Sequence, residues 1–138
     1  MSALRVLLHV ADALATGRPV VALESSVLAQ GLPIPANREA ADRMMRAVER
    51  AGAIPAVTGV VGGRCALGLE PEELERFLRR TGVRKVAARD LAVACAQGSD
   101  GATTVAASLC IAGAKNVPVF ATGGIGGVHR NEIGRAHV

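Results

Sequence analysis

The stretch Val117-Pro-Val-Phe-Ala-Thr-Gly-Gly-Ile-Gly-Gly-Val-His-Arg130 joins a short apolar run of strand type to a loop with four glycines in five residues. Glycine admits positive φ and lets a ligand approach main-chain N–H groups closely, so a loop of this kind after a strand can bind an anion. The spacing Gly123-Gly-Ile-Gly-Gly127 matches neither the dinucleotide-binding pattern nor the P-loop. The stretch therefore predicts a strand followed by either a phosphate site or a close packing turn.

Composition favours helices packed on a parallel sheet. The 138 residues are enough for one domain with one core, so we predict a single α/β domain over residues 1–138. Half of the residues are hydrophobic, and Phe77 and Phe120 are the only aromatic ones, so the core must consist of small and branched side chains. Such a core suits a parallel sheet that is covered on both faces.

Charge and cysteine content exclude several classes of protein. The net charge of +4 comes mostly from arginines, and there is neither a basic run nor an aromatic platform, so we expect no nucleic-acid partner. The surplus of positive charge instead favours binding of a small anionic ligand. No apolar stretch is long enough to span a bilayer, which predicts no membrane insertion. Cys65, Cys95 and Cys110 lack disulfide or zinc spacing and indicate reduced core thiols in a cytoplasmic protein.

Periodicity and turn residues predict the order of the elements. We expect helices over residues 5–16, from an N-cap at Asn37 to Ala51, from Pro71 onward, and over residues 98–112. We expect strands over residues 19–23, 54–61 and 64–69, with a hairpin turn at Gly62-Gly63 between the last two.

Several polar residues follow predicted strands or open a predicted helix. Glu24 ends a buried strand, where it can serve as an acid or base or can cap loop amides. Lys85 lies at the mouth of a strand and fits either a phosphate contact or a surface lysine. Thr103 and Thr104 are predicted in a first helical turn, as an oxyanion site or as caps. Together with the glycine loop, these residues favour a sugar phosphate as the ligand.

Five ordered motifs resemble those of the pseudouridine-5'-phosphate glycosidases, also called the indigoidine synthase A-like family. They are Val21-Ala-Leu-Glu-Ser-Ser26, Gly31-Leu-Pro-Ile-Pro-Ala-Asn37, Lys85-Val-Ala-Ala-Arg-Asp-Leu91, Gly101-Ala-Thr-Thr-Val-Ala-Ala107 and Ala121-Thr-Gly-Gly-Ile-Gly-Gly-Val-His-Arg130. The resemblance runs from about Pro19 to Arg130. It implies a three-layer α/β/α fold with a mostly parallel, mixed sheet, a homotrimer and a Mn2+ ion. It also implies cleavage of the C–C glycosidic bond of pseudouridine 5'-phosphate to uracil and ribose 5-phosphate.

The resemblance also assigns roles to individual residues. A carbon leaving group has no lone pair to protonate, so the two-carboxylate route of ordinary glycosidases is insufficient. In this family a lysine is thought to hold the opened ribose as an imine, which acts as an electron sink. Glu24 resembles the proton donor. The residues that resemble substrate contacts or line the same pocket are Lys85, Thr103, Thr104, Val105, Thr122, Gly123, Gly124 and His129.

The sequence also departs from the family pattern. Ser26 stands where the family commonly has Thr, and Gln30 where it commonly has His. The acidic Asp-x-Ser-Ala-Asp segment and the Cys-Ala-Gly-x-Lys-Ser-type motif with the imine-forming lysine are not found, and residues 131–138 resemble no part of the pattern. We therefore expect an N-terminal part of the family fold, incomplete at its C-terminus, with sheet edges and an apolar face uncovered. A non-catalytic sugar-phosphate-binding module is the alternative, and a third possibility gives the imine role to Lys85.

Overall fold

The computed structural model describes residues 4–126, which form seven strands, five α-helices, a π-helical turn (Val27–Gly31) and a 3₁₀-helical turn (Ala88–Asp90). The strands are β1 (Leu4–Val6), β2 (Val20–Leu23), β3 (Ile54–Val61), β4 (Arg64–Leu67), β5 (Val83–Val86), β6 (Asp100–Thr103) and β7 (Val119–Ala121). The helices are α1 (Leu8–Ala15), α2 (Ala36–Arg50), α3 (Pro71–Arg79), α4 (Leu91–Ala96) and α5 (Val105–Ala114). No helix within residues 4–126 is long and apolar enough to cross a membrane.

Helices cover both faces of one mixed sheet. The strand order is β1-β4-β3-β2-β7, with β6 paired to β3 and β5 paired to β6, and four of the six pairings are parallel. Successive residues of a strand point to opposite faces. Accordingly, Ala56 packs with Val10 of α1 and Ile111 of α5, whereas Val57 packs with Phe77 of α3. The predicted three-layer α/β/α architecture with a mostly parallel sheet is confirmed.

The ends of β2 and β6 meet beside Thr58 in the middle of β3. β2 runs parallel to β3 as far as the pair Leu23 and Val57, whereas β6 runs antiparallel to β3 through the pair Gly59 and Ala102. The two strands therefore point toward each other. β7 is parallel to β2 and β5 is parallel to β6, so four strands direct their carboxyl ends to the same place. Ligands of open α/β sheets bind outside such strand ends.

Most of the predicted elements are present. The strand after Pro19, the hairpin of β3 and β4, and the helices that begin near Asn37 and at Pro71 are confirmed. Gly63 in the hairpin has φ of +80°, and a Cβ there would lie 2.7 Å from the carbonyl oxygen of Cys95, so only glycine fits.

Three predicted details are wrong. Residues 4–6 form a strand on β4 rather than the first turn of a helix. Residues 100–103 form β6 rather than helix, because Gly101 lies against Val86 of β5 so closely that a Cβ would be 2.4 Å from its Cγ2. Asn37 is not an N-cap: it lies inside α2, 1% exposed, and its amide donates to the carbonyl oxygens of Leu28 and Leu78. Local patterns could not show these long-range partners.

Candidate functional site

Glu24 lies at the carboxyl end of β2 and is only 9% exposed. The Ser26 hydroxyl donates to its Oε2 at 3.1 Å, and the Thr122 hydroxyl donates to its Oε1. Thr122 in turn accepts a hydrogen bond from the amide of Gly124. The glycine loop after β7 is thus tied to the carboxylate that ends the neighbouring strand β2.

A cavity of about 550 Å³ opens at the convergence of the four strand ends. Its polar groups come from β2, from β5, from the start of α5 and from the glycine loop after β7. The lining residues are Glu24, Ser26, Val27, Gln30, Gly31, Lys85, Thr104, Val105, Gly123, Gly124 and Gly126. The volume falls in the usual range for a small-molecule site.

The start of α5 has the features of an anion-binding site. Thr104 is the N-cap residue and is 2% exposed, yet its Oγ1 has no hydrogen-bond partner among the described residues. A buried hydroxyl without a partner is rare in proteins, and this one borders the cavity. The first-turn N–H groups of a helix also favour an anion at this position. Lys85, half-buried on β5, lines the same cavity and has no ion-pair partner within residues 4–126.

Four buried hydroxyl groups join the elements that carry the site. Thr58 donates to the Leu23 carbonyl oxygen at 2.9 Å and lies 2.9 Å from the Thr103 hydroxyl and 2.8 Å from that of Ser108. Ser25 Oγ accepts from the Thr103 amide at 2.8 Å, and Ser108 donates to the Thr104 carbonyl oxygen at 2.7 Å. We call Ser25, Thr58, Thr103 and Ser108 the hydroxyl cluster. It links β2, β3, β6 and α5 directly behind Glu24 and Thr104.

The sequence reasoning missed most of this cluster. Ser25, Thr58 and Ser108 were not predicted as site residues, although the single hydroxyl of Thr58 inside an apolar strand was an available signal. Thr103 was predicted to contact the ligand, but it is fully buried in the cluster and does not line the cavity.

The structure brings most of the other predicted residues together. Thr122 borders Glu24 but faces an adjoining apolar groove rather than the cavity. His129 lies outside the described residues, as do residues 131–138. The predicted residues that line the cavity are Glu24, Lys85, Thr104, Val105, Gly123 and Gly124.

Gln30, the position where the family commonly has His, also lines the cavity. Its Nε2 donates to the Val83 carbonyl oxygen at 3.4 Å, while its Oε1 is buried without a partner among residues 4–126. A ligand with a hydrogen-bond donor would satisfy that oxygen. The Gln30 Oε1 therefore joins the Thr104 hydroxyl as a second buried group at the cavity that has no partner among the described residues.

The described residues do not form a metal site. Within residues 4–126 there is no group of three or more His, Cys, Asp or Glu side chains that could hold an ion. The described residues therefore do not by themselves assemble a donor set for Mn2+.

The three cysteines are free, but they are not alike. Cys110 is exposed, so its prediction as a core thiol is wrong. Cys65 and Cys95 are half-buried, with their sulfur atoms 3.9 Å apart. Burial, with the neighbouring Cys95, raises the pKa of the Cys65 thiol to about 11.

Fold and cavity together define an α/β protein with a polar cavity of small-molecule size at converging strand ends. The sequence profile of the family described as "Indigoidine synthase A like protein" matches residues 9–137. The chain belongs to this family. The match begins before Pro19 and ends after Arg130, so it extends further in both directions than the five motifs indicated.

Named relatives point to one activity. A "Pseudouridine-5'-phosphate glycosidase" of Gemmatimonas aurantiaca is 62% identical over 120 residues, which are 87% of this chain and 39% of that protein. A protein of the same name from Salinispora tropica is 52% identical over 122 residues, which are 88% of this chain and 38% of that protein. The chain thus spans about 40% of the length of the curated relatives that it matches.

Solved structures share the fold. The prealnumycin C-glycosynthase AlnA in complex with ribulose 5-phosphate has a TM-score of 0.80 and 45% identity, covering 91% of this chain and 40% of that one. An indigoidine synthase A-like protein of Thermotoga maritima has a TM-score of 0.75 and 35% identity, covering 85% of this chain and 40% of that one.

Proposed function

We propose that this chain supplies the proton donor and the sugar-phosphate contacts of a pseudouridine-5'-phosphate glycosidase. The observation that carries the proposal is the single cavity lined by Glu24, Lys85, Thr104 and the glycine loop. It combines one carboxylate with one cation, a helix N-terminus and main-chain amides. That set of groups suits a phosphorylated sugar whose reacting end faces Glu24.

In this proposal Glu24 moves the proton that bond cleavage requires. When the C–C bond breaks, the electron pair goes to the base carbon, which must receive a proton to give uracil, and the sugar carbon is left as the lysine imine, which water hydrolyses to ribose 5-phosphate. Ser26 and Thr122 fix the two oxygens of Glu24, so they orient the carboxyl group toward one position in the cavity. Lys85, Thr104 Oγ1 and the first-turn amides of α5 bind the phosphate. The imine-forming lysine and the ligands of Mn2+ are then supplied by the part of the relatives' fold that this chain does not match.

The first test is uracil formation from pseudouridine 5'-phosphate with Mn2+, followed by borohydride treatment and intact mass measurement. We expect neither turnover nor an adduct from the chain alone, but measurable affinity for ribose 5-phosphate by calorimetry. Thr104→Val should weaken this affinity about tenfold, as expected for the loss of one hydrogen bond to a charged group. Leu109→Ala, an exposed change on α5 away from the cavity, is the matched control. Equal affinity for the two variants would contradict the assigned phosphate position.

Two alternative hypotheses about the function predict different results in these experiments. The first alternative is a non-catalytic sugar-phosphate-binding module, for which Lys85 and Thr104 at the cavity would be sufficient. It would bind ribose 5-phosphate and stay inactive even when the rest of the family fold is supplied. If Lys85 forms the imine, turnover and a trapped adduct will appear in the chain alone and will disappear in Lys85→Arg. In line with the family resemblance and the free thiols, we further propose a cytoplasmic homotrimer.

A further inference from the structure

Two thiols lie side by side away from the polar cavity. Cys65 is on β4 and Cys95 is in α4, 30 residues further along the chain, yet their sulfur atoms are only 3.9 Å apart. Both side chains are half-buried at the edge of the apolar cluster of Val60, Val86 and Ala94. Neither is among the described residues that line the cavity, so the proposed reaction gives them no role.

Main-chain hydrogen bonds hold the two thiol-bearing segments together. The amide of Gly63, in the turn before β4, donates to the carbonyl oxygen of Ser99 at 3.0 Å. The amide of Ser99 donates in turn to the carbonyl oxygen of Ala94 at 3.0 Å, so the same residue anchors the end of α4. The fold therefore places the two sulfur atoms next to each other. Bonded sulfur atoms are about 2 Å apart, so an approach of about 2 Å would join this pair.

The donors around the pair suit redox chemistry better than a metal ion. Structural zinc sites need more side-chain ligands than two thiols provide, and within residues 4–126 no group of three or more His, Cys, Asp or Glu side chains could hold an ion. Two adjacent thiols can instead be oxidised together. We propose that Cys65 and Cys95 form a reversible disulfide when a hydroperoxide oxidises the chain. The inference rests on these two side chains and not on the proposed reaction.

The two thiols have different roles in this oxidation. Burial, with the neighbouring Cys95, raises the pKa of the Cys65 thiol to about 11, so Cys65 keeps its proton near neutral pH. Its S–H group can then donate to the Cys95 sulfur and stabilise a negative charge there. Cys95 is therefore the thiolate that reacts with the peroxide, and Cys65 is the thiol that resolves the product.

Hydrogen peroxide is sufficient as the oxidant, and the atoms balance. The Cys95 thiolate attacks one peroxide oxygen, the O–O bond breaks, and Cys95 becomes a sulfenic acid. The departing hydroxide combines with the proton that Cys95 released and forms water. The Cys65 sulfur then attacks the Cys95 sulfur, the S–O bond breaks, and the hydroxide takes the Cys65 proton and leaves as a second water. The two thiols lose two electrons, which reduce the peroxide.

Formation of the disulfide has two consequences. It removes the sulfenic acid before more peroxide converts it to a sulfinic acid, which thiol reductants do not reverse. It also closes the segment 65–95, which contains α3 and β5, and such a crosslink restricts the unfolded chain. The oxidised chain should therefore unfold at a higher urea concentration than the reduced chain, and a thiol reductant should restore the original midpoint.

The test is hydrogen peroxide treatment of the folded chain, followed by alkylation of the remaining thiols in urea and peptide mass mapping. Cys110→Ser is the control, because Cys110 is exposed on α5 and is not part of the pair. Cys65→Ser removes the resolving thiol, so a sulfenic-acid reagent should label Cys95, and a sulfinic acid should accumulate there without the reagent. Cys95→Ser should leave Cys65 reduced under the same treatment.

We expect one intramolecular disulfide between Cys65 and Cys95 in the wild type and in Cys110→Ser, with a raised urea midpoint that dithiothreitol reverses. Mapping of the wild type depends on no variant, so a variant that fails to fold leaves the test intact. A disulfide that includes Cys110 would overturn the proposal. So would full alkylation of Cys65 and Cys95 after Cys110 has been oxidised. A lowered urea midpoint would also contradict it, because a bond between poorly placed sulfur atoms strains the native chain.

Discussion

Thr58→Val removes the hydroxyl at the centre of the hydroxyl cluster with little change in shape. The Leu23 carbonyl oxygen then loses its donor, whereas Thr103 and Ser108, 3.1 Å apart, can still pair with each other. One buried group left without a partner costs about 1–3 kcal/mol. Since a domain of this size is stable by roughly 5–15 kcal/mol, the loss is large enough to measure.

Urea unfolding measures this loss of stability. The urea concentration at the midpoint should fall, while the dependence of the free energy of unfolding on urea concentration stays unchanged. Thr58→Ser is the matched control, because it keeps the hydroxyl and loses one methyl group, at a cost of about 1 kcal/mol. Ribose 5-phosphate affinity should also fall in Thr58→Val and be retained in Thr58→Ser, since the cluster fixes the strand ends that carry Glu24 and Thr104. If Thr58→Val is as stable as the wild type, the cluster contributes packing alone and the reasoning is refuted.

Three further changes test other parts of the structure. Asn37→Ala should lower the free energy of unfolding by about 2–4 kcal/mol, since two buried carbonyl oxygens lose their donor. Thermal unfolding checks this, with Glu49→Ala at an exposed position of the same helix as the control. Burial opposes ionisation of Glu73, but the hydrogen bonds from Arg5 and from the Glu70 amide, together with the charge of Arg5, outweigh it and lower the pKa of Glu73 below its ordinary value of 4.5. The stability from this pair is therefore present above pH 4.5 and is lost as the pH falls through the folded-state pKa, and Glu73→Gln should flatten the acid limb of a pH–stability profile. Thiol-reactive labelling at pH 8 should modify Cys110 first and Cys65 last, as peptide mass mapping would show.

The sequence predicted the parts of the fold that depend on local signals. Turn and capping residues mark the positions of three elements in the sequence itself: the Gly62-Gly63 turn, the helix that begins at Pro71 and the apolar strand before Glu24. These positions could therefore be predicted. Strand β6 could not be predicted from the sequence, because Gly101 and its neighbours are small residues whose pattern fits a buried helix equally well. Only their pairing with β3 and β5, each more than ten residues away along the chain, makes them a strand.

That one error changes which threonine borders the cavity. In a helix, Thr103 and Thr104 would share the first turn, and both hydroxyls would be available to an anion. At the end of a strand, adjacent side chains point in opposite directions, so Thr103 enters the hydroxyl cluster while Thr104 borders the cavity. This alternation explains why the Thr103 hydroxyl has partners, whereas that of Thr104 has none within residues 4–126. The same strand thus separates a residue that holds the fold from one available to bind substrate, a distinction that the sequence motif alone does not contain.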